Sequence, residues 1–151
     1  MPVPWLACML AVSQHYHLPP RVLPSIQIVE AGQPGTISHN LNGTGDLGVM
    51  QVNTRWVPSI ARWWDLPPSE VADRLIRDPC FNIVSAGAIM RIYMDEANNN
   101  VVRAVGYYHS HTPERASSYQ MKVIRASYVL FGRPPRAKPG RQIKRTGSHP
   151  L

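Results

Sequence analysis

Long apolar runs are absent from this sequence of 151 residues. Pro, Gln, Arg or His interrupts each apolar stretch well before the roughly 20 residues that a membrane-spanning helix requires, so we expect no membrane span. Internal repeats are also absent, and the length suffices for one domain but hardly for two. Because 44% of the residues are apolar and 17% are charged, we expect a folded core rather than a disordered chain.

Acidic residues are scarce: 9 Asp and Glu oppose 16 Lys and Arg, for a net charge of +7. The last twenty residues contain no acid and six bases, namely Arg133, Arg136, Lys138, Arg141, Lys144 and Arg145. Positions 1–131 are therefore nearly neutral, which argues against a nucleic-acid-binding domain. We predict one folded domain over residues 1–131 and a flexible basic tail over 132–151, since the tail has too little apolar surface to offset its ordering entropy.

Cysteine occurs only twice, as Cys8 and Cys80. This spacing excludes a CxxC redox or zinc motif. Each cysteine falls on a predicted helix among apolar residues, so from the residues alone the pair is either two separate buried thiols or a disulfide. A disulfide closing so long a loop would stabilise the fold by roughly 4 kcal/mol in the chain-entropy model.

The remaining pattern is mostly helical. We predict a first helix at about 5–17, which the Pro19-Pro20 pair ends, and a second helix after that pair to about 31, with Gly32 as a stop. Five further helices are predicted at 54–64, 69–77, 80–97, 99–110 and 114–131. Pro24 marks the first turn of the second helix or a kink in it, and Thr112-Pro113 predicts an N-cap followed by proline at the first helical position. Residues 33–53 are rich in Gly, Asn and Asp, which is typical of turns with short strands, for example at 49–52.

Glu30 is the first residue that indicates chemistry. It follows Val22, Leu23 and Ile26 on one stripe of the second predicted helix, where an apolar residue would be expected. Burial at that position would raise the pKa of the carboxyl, as a general acid at neutral pH requires. The alternative is a glutamate at the helix end that turns to solvent.

Other polar and aromatic residues have simpler interpretations. Asp46 could face Glu30 across a cleft, although a turn-forming role is also typical of this residue. His109 and His111 are spaced i, i+2 and do not share a helix face, so we expect no metal site and no cofactor. The three tryptophans of the middle region could stack on sugars, but packing in the core and at its rim is favoured: Trp56, Trp63 and Trp64.

An ordered set of motifs then carries a resemblance. The set comprises residues 28–32 (IVEAG), 40–53 (NLNGTGDLGVMQVN), Trp56, 78–83 (DPCFNI), 86–88 (AGA) and 104–110 (AVGYYHS), with Tyr119 beyond. In this order it resembles the catalytic domain of the soluble-lytic-transglycosylase-like family, most of all the small members that accompany conjugation, type III and type IV secretion and pilus systems. The resemblance covers about residues 5–128.

The resemblance implies an α+β, lysozyme-like fold, mostly helical with a small β-hairpin and loop region after the helix of Glu30. It also implies cleavage of the β-1,4 bond between N-acetylmuramic acid and N-acetylglucosamine in peptidoglycan, with Glu30 as the catalytic residue. The substrate-binding residues carried over from the family are Gly48, Val49 (in place of Leu), Met50, Gln51, Tyr108, Tyr119 and His109. His109 stands where many members have Asn, and His111 where many have Gly, so the sugar contacts of that loop differ from the family pattern.

A lytic transglycosylase requires one carboxylate, whereas most glycosidases require two. Glu30 would protonate the leaving oxygen and then take the proton of the muramoyl C6 hydroxyl, which closes a 1,6-anhydro ring; the tethered nucleophile supplies a high effective molarity. Tyr119 shares a stripe with Val123 and Ala126, so we expect its ring in the core and its hydroxyl at the cleft. The alternatives are a hydrolysing muramidase in which Asp46 assists a water, a non-catalytic glycan-binding or assembly module, and nucleic-acid binding through the basic tail.

The resemblance also implies a location and partners. Cys8 and Cys80 match a cysteine pair of secretion-associated members, which favours a disulfide and a periplasmic or cell-envelope site. Residues 1–18 make a poor signal peptide, so either export follows another route or the chain begins after a leader. We expect a monomer that acts on peptidoglycan strands beside a component of a secretion, conjugation or pilus system, with no nucleic-acid partner.

Overall fold

The computed structural model describes residues 2–136 and 140. Within them lie seven α-helices, a short 3-10 helix at Thr54–Trp56 and three short strands. The helices are α1 (Leu6–His15), α2 (Val22–Glu30), α3 (Val57–Trp64), α4 (Pro68–Arg77), α5 (Pro79–Glu96), α6 (Val101–His109) and α7 (Pro113–Phe131). The strands are β1 (Ile37–His39), β2 (Gly45–Leu47) and β3 (Val52–Asn53). The α+β class, mostly helical with a small β region after the Glu30 helix, is thereby confirmed.

Local sequence signals explain most helix ends. Proline occupies the first turn of α4, α5 and α7, where its missing N–H costs no hydrogen bond. The side chain of Asp78 accepts a hydrogen bond from the Phe81 N–H at the start of α5. Thr112 occupies the predicted N-cap position of α7, but its side chain makes no capping hydrogen bond. Pro24 lies in the first turn of α2.

The end of α2 differs from the prediction in its stop residue. Ala31, not Gly32, adopts the left-handed conformation that ends the helix, with φ of 52°. Gly32 is required for a different reason: a Cβ there would collide with the backbone carbonyl oxygen of Gly48. Glycine at this position therefore lets the end of α2 approach the turn after β2.

The strands form an antiparallel sheet in the order β1-β2-β3. Asp46 on β2 pairs with Ser38 on one side and with Asn53 on the other. The strand predicted at 49–52 is wrong for its first three residues: residues 48–51 form a tight turn, and pairing resumes only at Val52. Gly48 has φ of 65° and Gln51 has φ of 52°, which an extended strand cannot accommodate.

Helix α5 runs through the centre of the core. It packs against α1, α2, α4, α6 and β3. Ile83, Ile89 and Met90 of this helix are buried together with Leu23 and Ile26 of α2. Helix α7 packs against α2 and α6, so it brings its inner face against the helix that ends in Glu30.

A disulfide joins Cys8 of α1 to Cys80 at the start of α5, with their Cα atoms 6.0 Å apart. This finding decides between the two cysteine interpretations that the residues left open. In the part of the chain that the structure describes, no helix is both long enough and apolar enough to cross a membrane.

Helix α7 ends at Phe131, and residues 132–136 continue without regular structure. Of the predicted basic tail, residues 137–139 and 141–151 lie outside the described residues. The division into a domain over 1–131 and a flexible tail over 132–151 therefore stays a prediction.

Candidate active site

Glu30 is the last residue of α2, and its half-buried side chain lines an open cavity of about 760 Å³. The cavity lies between the β region and the end of α6, with Asp46, Gln51 and Tyr108 also in its wall. The left-handed Ala31 turns the chain away directly after Glu30. The carboxyl thus faces a space that a ligand can enter, in partly apolar surroundings.

Burial is the main influence on the Glu30 carboxyl and raises its pKa from 4.5 to about 7. The negative charge of Asp46 raises the pKa further, while the hydrogen bond from Tyr119 and the positive charge of Lys122 lower it. A carboxyl with this pKa is populated in both protonation states at neutral pH. It can therefore act as an acid or as a base there.

Tyr119 of α7 is the hydrogen-bond partner of Glu30. Its hydroxyl donates to Oε1 of Glu30 at 2.7 Å, and its ring is 5% exposed above the buried Val123. Burial and the nearby Glu30 raise the pKa of the Tyr119 hydroxyl, so it stays protonated and remains a donor. His109 stacks on the Tyr119 ring with centroids 4.8 Å apart, and burial lowers the pKa of its imidazole.

The turn of residues 48–51 packs most of its residues away from the cavity. Val49 and Met50 are 1% and 0% exposed, and neither they nor Gly48 lines the cavity. The side chains of Val49 and Met50 belong to the core, and the substrate-binding role that the resemblance implies for this segment stays a prediction. A Cβ at Gly48 would collide with the carbonyl oxygen of Leu75, so glycine is required where the turn meets α4.

Gln51 is the one residue of this turn that lines the cavity. Its Nε2 donates to the carbonyl oxygen of Gly48 at 2.9 Å and to that of Asp46 at 3.4 Å. These contacts direct the Nε2 group toward backbone oxygens of the turn and of β2. We therefore expect Gln51 to contact a ligand through its carbonyl oxygen Oε1, as a hydrogen-bond acceptor.

Two side chains from distant helices brace the same turn. The fully buried Asn82 of α5 accepts a hydrogen bond from the Met50 N–H at 2.9 Å and donates to the carbonyl oxygens of Leu47 and Leu75 at 2.7 and 2.8 Å. The hydroxyl of Tyr108 donates to the Met50 carbonyl oxygen at 2.7 Å. Tyr108 also lines the cavity, and its hydroxyl hydrogen is already donated to the turn.

Asp46 lines the cavity together with its strand partner Asn53 and makes no hydrogen bond to Glu30. Its Oδ1 accepts from the Asn53 amide at 2.9 Å, and its Oδ2 accepts from the Asn40 amide at 3.0 Å. These two amides hold the carboxylate in one orientation within the sheet. Asp46 therefore acts on Glu30 through its charge.

Arg55 and Arg115 line the cavity and were not identified from the sequence. Trp56 and His111, both considered from the sequence, line it as well. Trp63 and Trp64 do not line it and are 43% and 46% exposed. A signal for Arg115 was available, because α7 places it one turn before Tyr119 on the same face. Within residues 2–136 and 140, no group of three or more His, Cys, Asp or Glu side chains is arranged to hold a metal ion.

The fold agrees with a comparison to known families. The model of the transglycosylase SLT domain matches residues 7–122, so the chain belongs to this family, whose fold is lysozyme-like. The chain is similar to proteins named Invasion protein IagB from Salmonella typhimurium strains SL1344 and LT2 and from Salmonella typhi. Each is 28% identical over 119 residues, which cover 78% of this chain and 71% of the relative.

Proposed function

We propose that this protein is a peptidoglycan lytic transglycosylase with Glu30 as its acid and base. It would cleave the β-1,4 bond between N-acetylmuramic acid and N-acetylglucosamine and leave a 1,6-anhydro end. The observation that supports this most is the state of Glu30: a half-buried carboxyl in an open cavity, with a pKa of about 7 and a hydrogen bond from Tyr119 to one of its oxygens. Membership of the transglycosylase SLT family supports the same activity.

In the first proposed step, the protonated Glu30 gives its proton to the glycosidic oxygen while the bond from that oxygen to muramoyl C1 breaks. Tyr119 donates to Oε1, so the transferred proton is the one on Oε2. Positive charge develops at C1, and the N-acetyl group of the substrate shields it. The raised pKa keeps a large fraction of the carboxyl protonated at neutral pH, as this step requires.

In the second step, the Glu30 carboxylate takes the proton of the muramoyl C6 hydroxyl while the oxygen of that hydroxyl bonds to C1. The carboxyl ends protonated, as it began, and no water is consumed. The attacking hydroxyl belongs to the same sugar, so its effective molarity is high without help from a second carboxylate. The hydroxyl of Tyr119 stabilises the ionised form of Glu30 between the two steps.

A hydrolysing muramidase is the second candidate because Asp46 lines the same cavity as Glu30. In that reaction Asp46 would orient a water that attacks C1. The amides of Asn40 and Asn53 hold both Asp46 oxygens, which favours a supporting role for its charge. The two candidates predict different products, a reducing end for hydrolysis and a 1,6-anhydro end for the lyase.

The proposed setting is local opening of the cell wall during assembly of a secretion, conjugation or pilus system, in the periplasm or cell envelope. The disulfide between Cys8 and Cys80 is typical of proteins in oxidising compartments. The name Invasion protein IagB of the Salmonella relatives is in keeping with such a setting. We propose that the protein acts there as a monomer on glycan strands.

A digest of purified peptidoglycan, followed by mass spectrometry of the products, tests the proposal. We expect 1,6-anhydro ends from the wild type and activity at least about 100-fold lower in Glu30→Gln, the range that a general acid–base group contributes. Glu70→Gln is the matched control, because Glu70 is an exposed glutamate paired with Arg74 away from the cavity.

Each other outcome has a definite meaning. Reducing ends from the wild type would identify the muramidase. Binding of glycan without turnover by the wild type would identify a non-catalytic module. Full activity of Glu30→Gln would contradict both enzymatic candidates.

A further inference from the structure

A second cavity of about 260 Å³ lies beside the first. Its lining residues come from α7 and the end of α6: His109, Glu114, Arg115, Ser118, Tyr119 and Lys122. His109 and Arg115 line both cavities. Tyr119 connects them, because its hydroxyl donates to Glu30 of the first cavity and the residue lines the second. The second cavity therefore begins one side chain away from the proposed catalytic carboxyl.

Two cations line this second cavity, Arg115 and Lys122, and neither forms an ion pair among the described residues. Arg115 and Lys122 are seven residues apart, which places them on one face of α7. Residues three and four positions away from either one include no Asp or Glu. By contrast, each of three other arginines pairs with an acid four residues away: Arg74, Arg77 and Arg91.

The remaining charges of the cavity leave it positive. Glu114 is the one carboxylate in its lining and stands against two cations. The charges of Lys122 and Arg115 lower the pKa of the His109 imidazole, and Lys122 also lowers that of the Glu30 carboxyl. Both cations therefore act at the border between the two cavities. An anionic group is the ligand that this arrangement favours.

We propose that Arg115 and Lys122 bind a carboxylate of the peptide carried by the muramoyl residue that is cleaved. This inference rests on the proposed function. The peptide is attached through the muramoyl C3 oxygen, two carbons from C1, so it must leave the sugar close to Glu30 when C1 is positioned for cleavage. The second cavity is adjacent to that point, and the peptide carries free carboxylates. Arg115 supplies a two-pronged donor and Lys122 a compact positive charge.

The same chemistry could also bind phosphate of a wall polymer. A phosphate substituent on the muramoyl C6 oxygen would remove the hydroxyl that closes the anhydro ring. A sugar modified in that way cannot be the one that Glu30 cleaves by this reaction. The cavity beside Glu30 therefore favours the peptide carboxylate over the polymer phosphate.

The test compares glycan strands that carry the peptide with strands from which it has been removed. For the full chain, kcat and KM are measured on both substrates for the wild type and for the double variant Arg115→Gln, Lys122→Gln. We expect the ratio of kcat/KM for peptide-bearing over peptide-free strands to fall about tenfold in the double variant, mainly through KM, which corresponds to about 1.4 kcal/mol. The wild type should show no such preference for peptide-bearing strands whose carboxylates have been amidated.

Arg125→Gln is the matched control, since Arg125 is an exposed arginine of α7 that lines neither cavity. It should keep the wild-type ratio. An unchanged ratio in the double variant, or equal use of amidated strands by the wild type, would overturn the proposal. The double variant could instead lose affinity only for peptide-free strands that carry wall-polymer phosphate. That result would identify phosphate as the ligand and would also overturn the proposal.

Binding to the same strands is measured separately by calorimetry with Glu30→Gln, alone and combined with the double variant. This measurement does not depend on turnover. If the wild type releases no 1,6-anhydro product, the proposed function fails, while a preference for peptide-bearing strands that requires Arg115 and Lys122 would still support the anionic site. Loss of that preference in the combined variant is the expected result.

Discussion

Replacing Glu30 with Gln should make the folded protein more stable at neutral and alkaline pH. The folded state holds the Glu30 pKa at about 7, above its ordinary value of 4.5. Between these two values the folded state binds a proton that the unfolded chain releases, so the free energy of unfolding falls as pH rises. Gln carries no charge to bury, and its carbonyl oxygen can still accept the hydrogen bond from Tyr119.

The size of the effect follows from the two pKa values. The difference between 4.5 and about 7 corresponds to about 3 kcal/mol of unfolding free energy. The unfolding free energy of the wild type is not reduced below pH 4.5 and is reduced by this full amount above pH 7. We therefore expect Glu30→Gln to match the wild type near pH 4 and to exceed it by about 3 kcal/mol near pH 8.5. In thermal melts, the midpoint near pH 8.5 should be about 6 °C or more higher.

Urea unfolding at several pH values measures this difference directly. The disulfide is kept oxidised throughout, and Glu70→Gln serves as the control because Glu70 is exposed in an i,i+4 pair worth a few tenths of a kcal/mol. A difference between wild type and Glu30→Gln that is the same at pH 4 and pH 8.5 would refute the reasoning. It would mean that the folded state does not raise the pKa of Glu30.

Three further outcomes follow from single contacts. Tyr119→Phe removes the hydrogen bond that lowers the pKa of Glu30. The alkaline limb of the profile of kcat against pH should therefore shift to higher pH by about one to two pH units. An unshifted limb would argue against that contact. Reducing the disulfide between Cys8 and Cys80 should lower the free energy of unfolding by about 4 kcal/mol in urea titrations with and without reductant. Asn82→Ala leaves three buried backbone groups without their partner and should cost about 2–4 kcal/mol in the same titration, more than Asn98→Ala in the exposed turn after α5.

The helices were largely predictable because their signals are local. Proline pairs, proline at first turns and apolar periodicity gave the order of the helices and most of their ends to within a few residues. The strand predicted at 49–52 was wrong because an apolar run resembles a strand in isolation. Asn82, more than thirty residues away, holds the Met50 backbone in a turn instead. Nothing between residues 48 and 53 indicates that partner.

The candidate site also has features that local sequence predicted and features that only tertiary contacts explain. The stripe of α2 indicated that Glu30 was out of place on an apolar face, and the stripe of α7 gave the orientation of Tyr119. The contact between them joins residues 89 apart in the sequence and exists only because α7 packs on α2. The roles of Val49 and Met50 could not be read from the motif, because a motif does not show which of its side chains turns into the core.

By itself the sequence determined the helical layout, the small Gly-rich β region and the position of one glutamate among apolar neighbours. These features depend on residues within a turn or two of each other, where propensity and periodicity act. Only the tertiary structure decided that Cys8 bonds to Cys80, that the Gln51 amide donates to the Gly48 carbonyl oxygen, and that the Glu30 pKa reaches about 7. The pKa depends on burial and on charges from β2 and α7 together, and such a sum exists only once the chain has folded.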